Sequence, residues 1–279
     1  MNKRKLFQQK HQLWLAMLFG SFSISNEEIA DILYDFAMIE YRHLTWLGGS
    51  LADEKVPFDY EKEDIDFQAG DNATLFGKLI VQIEQMKESY PDKEDTMFAR
   101  FITDEDYFVQ KLHFLQENAN NEPITAFDKN RKLDYYNLDQ TQTDALTLFL
   151  FEESYKEYEL ILVYTYANFF TDSKLLSGIF IDLIYESQFH LKSFARMMSK
   201  MGILSIPRTI MEQIYKFDDL GQFLVDGIKE EEGAKEECVR LAQMVNHEEL
   251  SNFFYFINYQ ENYHIALMRK ALEHLKETT

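Results

Sequence analysis

The sequence predicts an all-α protein made of two consecutive antiparallel four-helix bundles. Apolar residues recur at helical spacing over long stretches, as in the run from Ile29 to Leu47. The chain of 279 residues contains only 10 glycines and 4 prolines, which leaves little material for the turns of a many-stranded sheet. The prolines fall between the periodic stretches, as expected of a residue that breaks helices.

Turn signals and apolar periodicity together predict eight helices. Their approximate ranges are 5–22, 27–52, 72–90, 95–118, 142–171, 174–202, 208–243 and 247–277. The seventh contains Gly221, Gly227 and Gly233, so we expect a break within it.

The order of the helices predicts the domain organisation. The segment 121–141 is polar and carries Pro123, which makes it the predicted linker between a first bundle at 1–120 and a second at 142–279. Each half follows the same order: a helical hairpin, a longer connection containing a proline, and a second helical hairpin. We interpret this layout as an internal duplication.

The net charge and the cysteine content limit which binding partners and which cellular location we expect. The chain has 48 acidic and 28 basic residues, and a net charge of -20 repels nucleic acid and anionic lipid surfaces. No run of about 20 apolar residues is present to span a bilayer, so we expect neither a nucleic-acid nor a membrane partner. The single cysteine, Cys238, excludes an internal disulfide and a cysteine-based metal site, and it fits a cytoplasmic location.

Two Glu-x-x-His motifs, at residues 40–43 and 261–264, are the first candidates for a metal-binding site. A spacing of three places the carboxylate and the imidazole on one face of a helix, where both can bind one metal centre. Roughly one such motif is expected by chance in a chain this rich in glutamate. The positions of further carboxylates therefore decide whether a site exists.

In the second bundle, partner carboxylates lie at matching positions around the turns. Glu231 and Glu261 are similar distances from the turn near residue 246, and Glu157 and Glu186 flank the turn at 171–174 in the same way. Two residues that are the same number of positions before and after a turn lie at the same height in a helical hairpin. The predicted ligand set is Glu157, Glu186, His190, Glu231, Glu261 and His264. Oxygen ligands with two imidazoles suit a pair of iron or manganese ions.

The first bundle offers an incomplete version of this set. Phe108 stands where the second bundle has His264, and the first helix offers only Gln12 in the expected place. The candidate ligands are Glu40, His43, Glu84 and Glu105. We interpret this site as degenerate, able to hold one metal ion or none.

These motifs resemble the ferritin-like superfamily of rubrerythrin-type and manganese-catalase-type proteins. The resemblance covers nearly the whole chain at motif level and lies in residues 40–49, Pro57, 105–108, Glu157, 186–190, Glu231 and 261–264. It implies a cofactor of two iron ions, or of manganese, and an oxidase, peroxidase or catalase that acts on dioxygen or peroxide. No catalytic residue is assigned, and self-association into a homo-oligomer is left open.

Two alternatives stay open. A non-catalytic helical scaffold or interaction protein with relic metal sites would account for Phe108, and for the spacing of four rather than three between Glu186 and His190. A metal-free binder of an apolar ligand is permitted by the 24 phenylalanines and 16 tyrosines. Buried carboxylates without a cation are costly, so burial of the predicted ligands would favour the metal site.

Overall fold

The computed structural model describes residues 3–63, 70–118, 122, 124 and 136–278. Within these ranges the chain is all-α, as predicted, and forms no β-strand. The helices are α1 (Lys3–Ser23), α2 (Glu27–Asp53), α3 (Asn72–Ser89), α4 (Thr96–Asn118), α5 (Gln140–Phe169), α6 (Lys174–Lys200), α7 (Glu212–Tyr215), α8 (Leu220–Val245) and α9 (Glu248–Thr278). None of these helices is both long enough and apolar enough to cross a membrane.

The predicted seventh helix is wrong in its first part. Residues 208–211 are not helical, and the short α7 is separated from α8 by residues 216–219. The break precedes all three glycines, because Asp219 starts a new helix: its side chain accepts the backbone N–H of Gln222. Within α8 the glycines are tolerated.

The chain divides into two compact units. The first contains Met1–Asn130 and Ser199–Ile210, and the second contains Arg131–Met198 and Met211–Thr279. Most of the predicted linker at 121–141 lies outside the described residues, and α5 begins inside it at Gln140. The segment from Ser199 to Ile210, assigned to the second bundle from sequence, groups with the first unit, where Lys200 Nζ lies 2.8 Å from Glu27 Oε1.

In the first unit four helices surround one core. Helix α1 contacts α2 and α3, and α4 contacts the same two helices. The second half of α1 is buried on every side, which explains its continuous apolar run from Leu13 to Phe19. Polar side chains that point inward from these helices are therefore removed from water.

In the second unit α5 contacts α8, and α8 and α9 form a tight hairpin. Helix α5 meets α6 through aromatic pairs such as Phe149 with Phe194 and Tyr164 with Phe180. The connection between α8 and α9 is only Asn246 and His247. Asn246 ends α8 in the left-handed conformation (φ 41°, ψ 42°), which asparagine adopts more readily than most residues.

Candidate metal centre

Five predicted ligands of the second unit meet in one buried cluster. They come from four helices and are at most 7% exposed: Glu157 on α5, His190 on α6, Glu231 on α8, and Glu261 and His264 on α9. They form two groups whose ligand atoms lie within 4.8 Å of one another, Glu157 with His190 and Glu261, and Glu231 with Glu261 and His264. Glu261 belongs to both groups.

The two oxygens of Glu261 face different histidines. Oε1 lies 3.7 Å from Nδ1 of His190, and Oε2 lies 2.8 Å from Nδ1 of His264. On the outer sides, Glu157 Oε1 is 2.8 Å from Nδ1 of His190, and Glu231 Oε1 is 3.8 Å from Nδ1 of His264. Two ligand atoms about 2.1 Å from one ion and roughly at right angles are about 3 Å apart. The separations therefore suit one ion on each side of Glu261.

Buried atoms of the cluster that could bind a metal ion support this fit. Among the described residues, Glu157 Oε2 and His264 Nε2 have no hydrogen-bond partner, although both are buried. Within the same part of the chain, no lysine or arginine pairs with Glu157, Glu231 or Glu261. Buried carboxylates need a compensating positive charge, and metal cations would supply it.

Glu186, a predicted ligand, does not join the other five. Its side chain is 29% exposed, and its Oε2 lies 4.0 Å from Nε2 of His264. The residue three before His190 is Ser187, which is buried and whose hydroxyl has no hydrogen-bond partner among the described residues. The spacing of four therefore turns Glu186 outward and leaves a small side chain in the inward position.

Gln260 connects the cluster to Glu186. Its amide nitrogen donates to Glu186 Oε2 at 2.7 Å, and its amide oxygen lies 3.2 Å from His190 Nε2. Because an amide oxygen only accepts, His190 must carry its proton on Nε2, which directs Nδ1 toward Glu157 and Glu261 as a lone-pair donor when the ring is neutral. Gln260 thus orients a candidate ligand.

Gln260→Leu is expected to weaken metal binding about 10- to 100-fold, the usual effect of losing a hydrogen bond that orients a metal-binding histidine. Gln260→Glu keeps an acceptor for His190 and should retain more of the affinity. Competition with a chelator of known affinity measures the change. Asp104→Asn, at the corresponding position of the first unit, is the matched control. Equal affinity in parent and Gln260→Leu chains would contradict the assigned role.

Without metal the cluster holds protons. Burial alone would lower the pKa of His190, but the Glu157 and Glu261 carboxylates together outweigh this effect and raise that pKa to about 9. Burial likewise opposes protonation of His264, yet Glu231 and Glu261 raise its pKa to about 11. Burial raises the pKa of Glu261 to about 8. Metal ions must displace these protons to bind.

The metal-free chain is therefore expected to lose stability as the pH rises from 6.5 to 8. Glu261 and both histidines bind protons more tightly when folded than when unfolded, so each contributes stability that declines between its unfolded and folded pKa. The slope is at most about 1.4 kcal/mol per pH unit for each group. Urea unfolding followed by circular dichroism after treatment with a chelator measures it.

Glu261→Gln, which removes one of these titrations, should flatten that slope. Tryptophan fluorescence separates the two units in the same experiment, because Trp14 and Trp46, the only tryptophans of the chain, both lie in the first unit. A metal-free chain whose stability rises over this pH range would contradict the proton-binding cluster.

In the first unit, a lysine lies among the predicted ligands. Lys10 of α1 is fully buried, and its Nζ lies 2.6 Å from Glu40 Oε2 and 2.5 Å from Glu105 Oε1. It also donates to the Tyr90 hydroxyl at 2.9 Å, and that hydroxyl donates to Glu105 Oε1 at 2.5 Å. Glu40, His43 and Glu105 do come together, but the two carboxylates pair with the Lys10 ammonium group.

The charged forms of Lys10 and Glu40 are favoured in this cluster, whereas that of Glu105 is not. Burial alone would lower the pKa of Lys10, but the two carboxylates outweigh it and hold that pKa above its ordinary value. Burial alone would raise the pKa of Glu40, but Lys10 and His43 together outweigh it and lower that pKa. Burial raises the pKa of Glu105 to about 7, with Lys10 opposing the shift and Glu40 adding to it.

Glu84, the fourth predicted ligand of the first bundle, is a surface residue. Its side chain is 48% exposed and pairs with Lys87, at 3.1 Å. Equal distance from the turn predicted its height in the hairpin, but height does not fix the face of the helix. Glu84 is therefore not part of the buried cluster.

Sequence reasoning missed three residues of these clusters, namely Lys10, Asp104 and Gln260. For Lys10 a signal existed: it precedes His43 by 33 residues, and Glu157 precedes His190 by the same number. Asp104 and Gln260 each directly precede the glutamate of α4 or α9, and each lies within 3.2 Å of Nε2 of a histidine, His43 or His190. Comparing the two halves position by position would have found them.

Comparison of the chain with protein-family models, with curated proteins and with solved structures finds no match. The functional conclusion therefore rests on the chemistry of the two clusters.

Proposed function

We propose that the second unit binds two transition-metal ions, iron or manganese, in a carboxylate-bridged centre that acts on dioxygen or peroxide. The observation that carries the proposal is Glu261, whose two oxygens face two histidines that are each flanked by a further buried carboxylate. Glu157 and His190 would hold one ion, Glu231 and His264 the other, and Glu261 both.

The ligand types support iron or manganese. Carboxylate oxygens together with imidazole suit both metals, and no cysteine takes part, since Cys238 is not among the ligand atoms that converge. Each ion would have one imidazole, one terminal carboxylate and the shared Glu261, so positions remain open for water or an oxidant. When bound, such a pair would supply reversible one-electron redox chemistry toward dioxygen or peroxide.

The surroundings of the cluster support selective access for a small oxidant. Glu186 and Gln260 are partly exposed and form the border between the buried ligands and solvent. The interior is lined by buried groups, including the Tyr164 hydroxyl, which has no hydrogen-bond partner among the described residues. Burial of this kind excludes bulk water and strengthens the electrostatic interactions of the ligands.

The layout of the two units further supports a relationship to ferritin-like proteins by internal duplication. His43 and His190 occupy corresponding positions, as do Glu105 and Glu261, and each histidine contacts the residue that precedes the glutamate. The scaffold alternative is favoured for the first unit alone, where Lys10 takes the place of a carboxylate.

The decisive experiment is elemental analysis of the full chain purified from cultures supplied with iron or manganese. About two ions per chain are expected, together with consumption of dioxygen or peroxide by the loaded protein. Glu261→Ala with His264→Ala should lose both the metal and the consumption, while the surface variant Glu84→Ala should keep them. A chain that stays metal-free in such cultures would sink the proposal, and a loaded chain inert toward both oxidants would sink its catalytic part.

A further inference from the structure

The ammonium group of Lys10 has a complete set of partners. It donates hydrogen bonds to Glu105 Oε1 and to the Tyr90 hydroxyl, and it forms a close ion pair with Glu40 Oε2, 2.6 Å from Nζ. The ring of Phe101 lies beneath it, with the nitrogen 4.9 Å from the ring centre. A buried lysine this well coordinated is a fixed structural cation.

The position of Lys10 corresponds to that of a metal ligand in the second unit. Counting back 33 residues from His43 reaches Lys10, and the same count from His190 reaches Glu157. Glu105 matches Glu261, since each contributes a carboxylate to its cluster from the last long helix of its unit. One unit thus has a carboxylate where the other has the cation that carboxylates attract.

The place of the second histidine is also filled. Phe108 follows Glu105 by three residues, as His264 follows Glu261, and its ring stacks on Phe36 with centres 4.3 Å apart. His43 is stacked on Phe101 at 4.2 Å, and its Nε2 lies 3.0 Å from Asp104. Apolar rings occupy the side of the cluster on which a second ion would need ligands.

We propose that Lys10 is the resident cation of the first unit and replaces a metal ion there. Glu40, His43 and Glu105 therefore bind no metal in the natural chain, and the first unit folds without one. Lys10→Glu, which removes the ammonium and supplies the residue type found at the corresponding position 157, turns the same cluster into a site for one divalent cation. This assignment holds whether or not the second unit binds metal.

The test is a titration of the metal-free full chain with Co²⁺, followed by tryptophan fluorescence and by equilibrium dialysis. Trp46 reports on the first cluster, because its ring centre lies 6.2 Å from that of His43 and a bound transition-metal ion quenches a nearby indole. The parent chain should show no quenching at Co²⁺ concentrations that fill the second unit. Lys10→Glu should bind about one Co²⁺ ion more per chain than the parent and lose Trp46 emission.

Two further variants separate the outcomes. His43→Ala, added to the Lys10→Glu chain, should abolish both the extra ion and the quenching. If Lys10→Glu does not fold without metal, Co²⁺ should restore the far-ultraviolet dichroism of the folded chain. The proposal is overturned if the parent is quenched as strongly as Lys10→Glu, or if Lys10→Glu, folded or not, gains neither ion nor structure with Co²⁺.

Discussion

Glu261→Gln is expected to bind at most one metal ion per chain, whereas the proposed centre of the parent chain holds two. Glutamine offers one neutral acceptor oxygen in place of a charged carboxylate with two. It therefore cannot bind an ion beside His190 and an ion beside His264 at the same time. Loss of a shared ligand affects both ions, and we expect the affinity for the pair to fall by more than about 100-fold. Elemental analysis and chelator competition measure the change.

Glu105→Gln is the matched control, because Glu105 holds the corresponding position in the first unit but binds Lys10. It should leave the metal content unchanged. Reduced metal content in Glu105→Gln would show that the first cluster contributes metal, and full content in Glu261→Gln would show that Glu261 does not bridge.

Lys10→Met is expected to lower the free energy of unfolding of the first unit by about 3–5 kcal/mol, the usual effect of removing one partner from a buried ion pair. Methionine fills a similar volume, but Glu40 and Glu105 lose their only lysine partner among the described residues. Urea unfolding followed by tryptophan fluorescence measures the change, because both tryptophans lie in this unit. Labelling of the buried Cys238 follows the second unit and should not change.

Neutralising the whole cluster should recover much of the loss. Glu40→Gln and Glu105→Gln, added to Lys10→Met, remove the uncompensated charges while keeping hydrogen-bonding groups of similar shape. Equal stability of the parent and Lys10→Met chains would mean that the buried ion pair contributes nothing to folding.

The fold class could be predicted because its signals are local. Apolar periodicity and helix caps act over one or two turns, as at Asn26, whose side chain accepts the N–H of Ile29 at the start of α2. The break before α8 was expected at one of the glycines, but it lies before them because Asp219 caps the start of the helix. The grouping of 199–210 with the first unit depends on contacts between distant parts of the chain, which periodicity does not contain.

Residues of the candidate site could be predicted only where their spacing in the sequence determines which face of a helix they occupy. Glu231, Glu261 and His264 were found because a short turn fixes both height and direction in one hairpin. Glu186 lies outside the group of converging ligand atoms because it precedes His190 by four residues rather than three, and one residue rotates a side chain by about 100° around the helix. Lys10 was missed because lysine is almost never fully buried unless it is paired, and its two carboxylate partners lie on other helices.

The left-handed Asn246 has a consequence for how the protein can change during evolution. The connection between α8 and α9 is only Asn246 and His247, so it has little length with which to compensate for a residue inserted in the first turn of α9, which would rotate the rest of that helix by about 100°. Glu261 and His264 would turn away from Glu231 together, and both candidate metal positions would lose ligands in a single step. At this turn a change of length is more damaging than most changes of residue type.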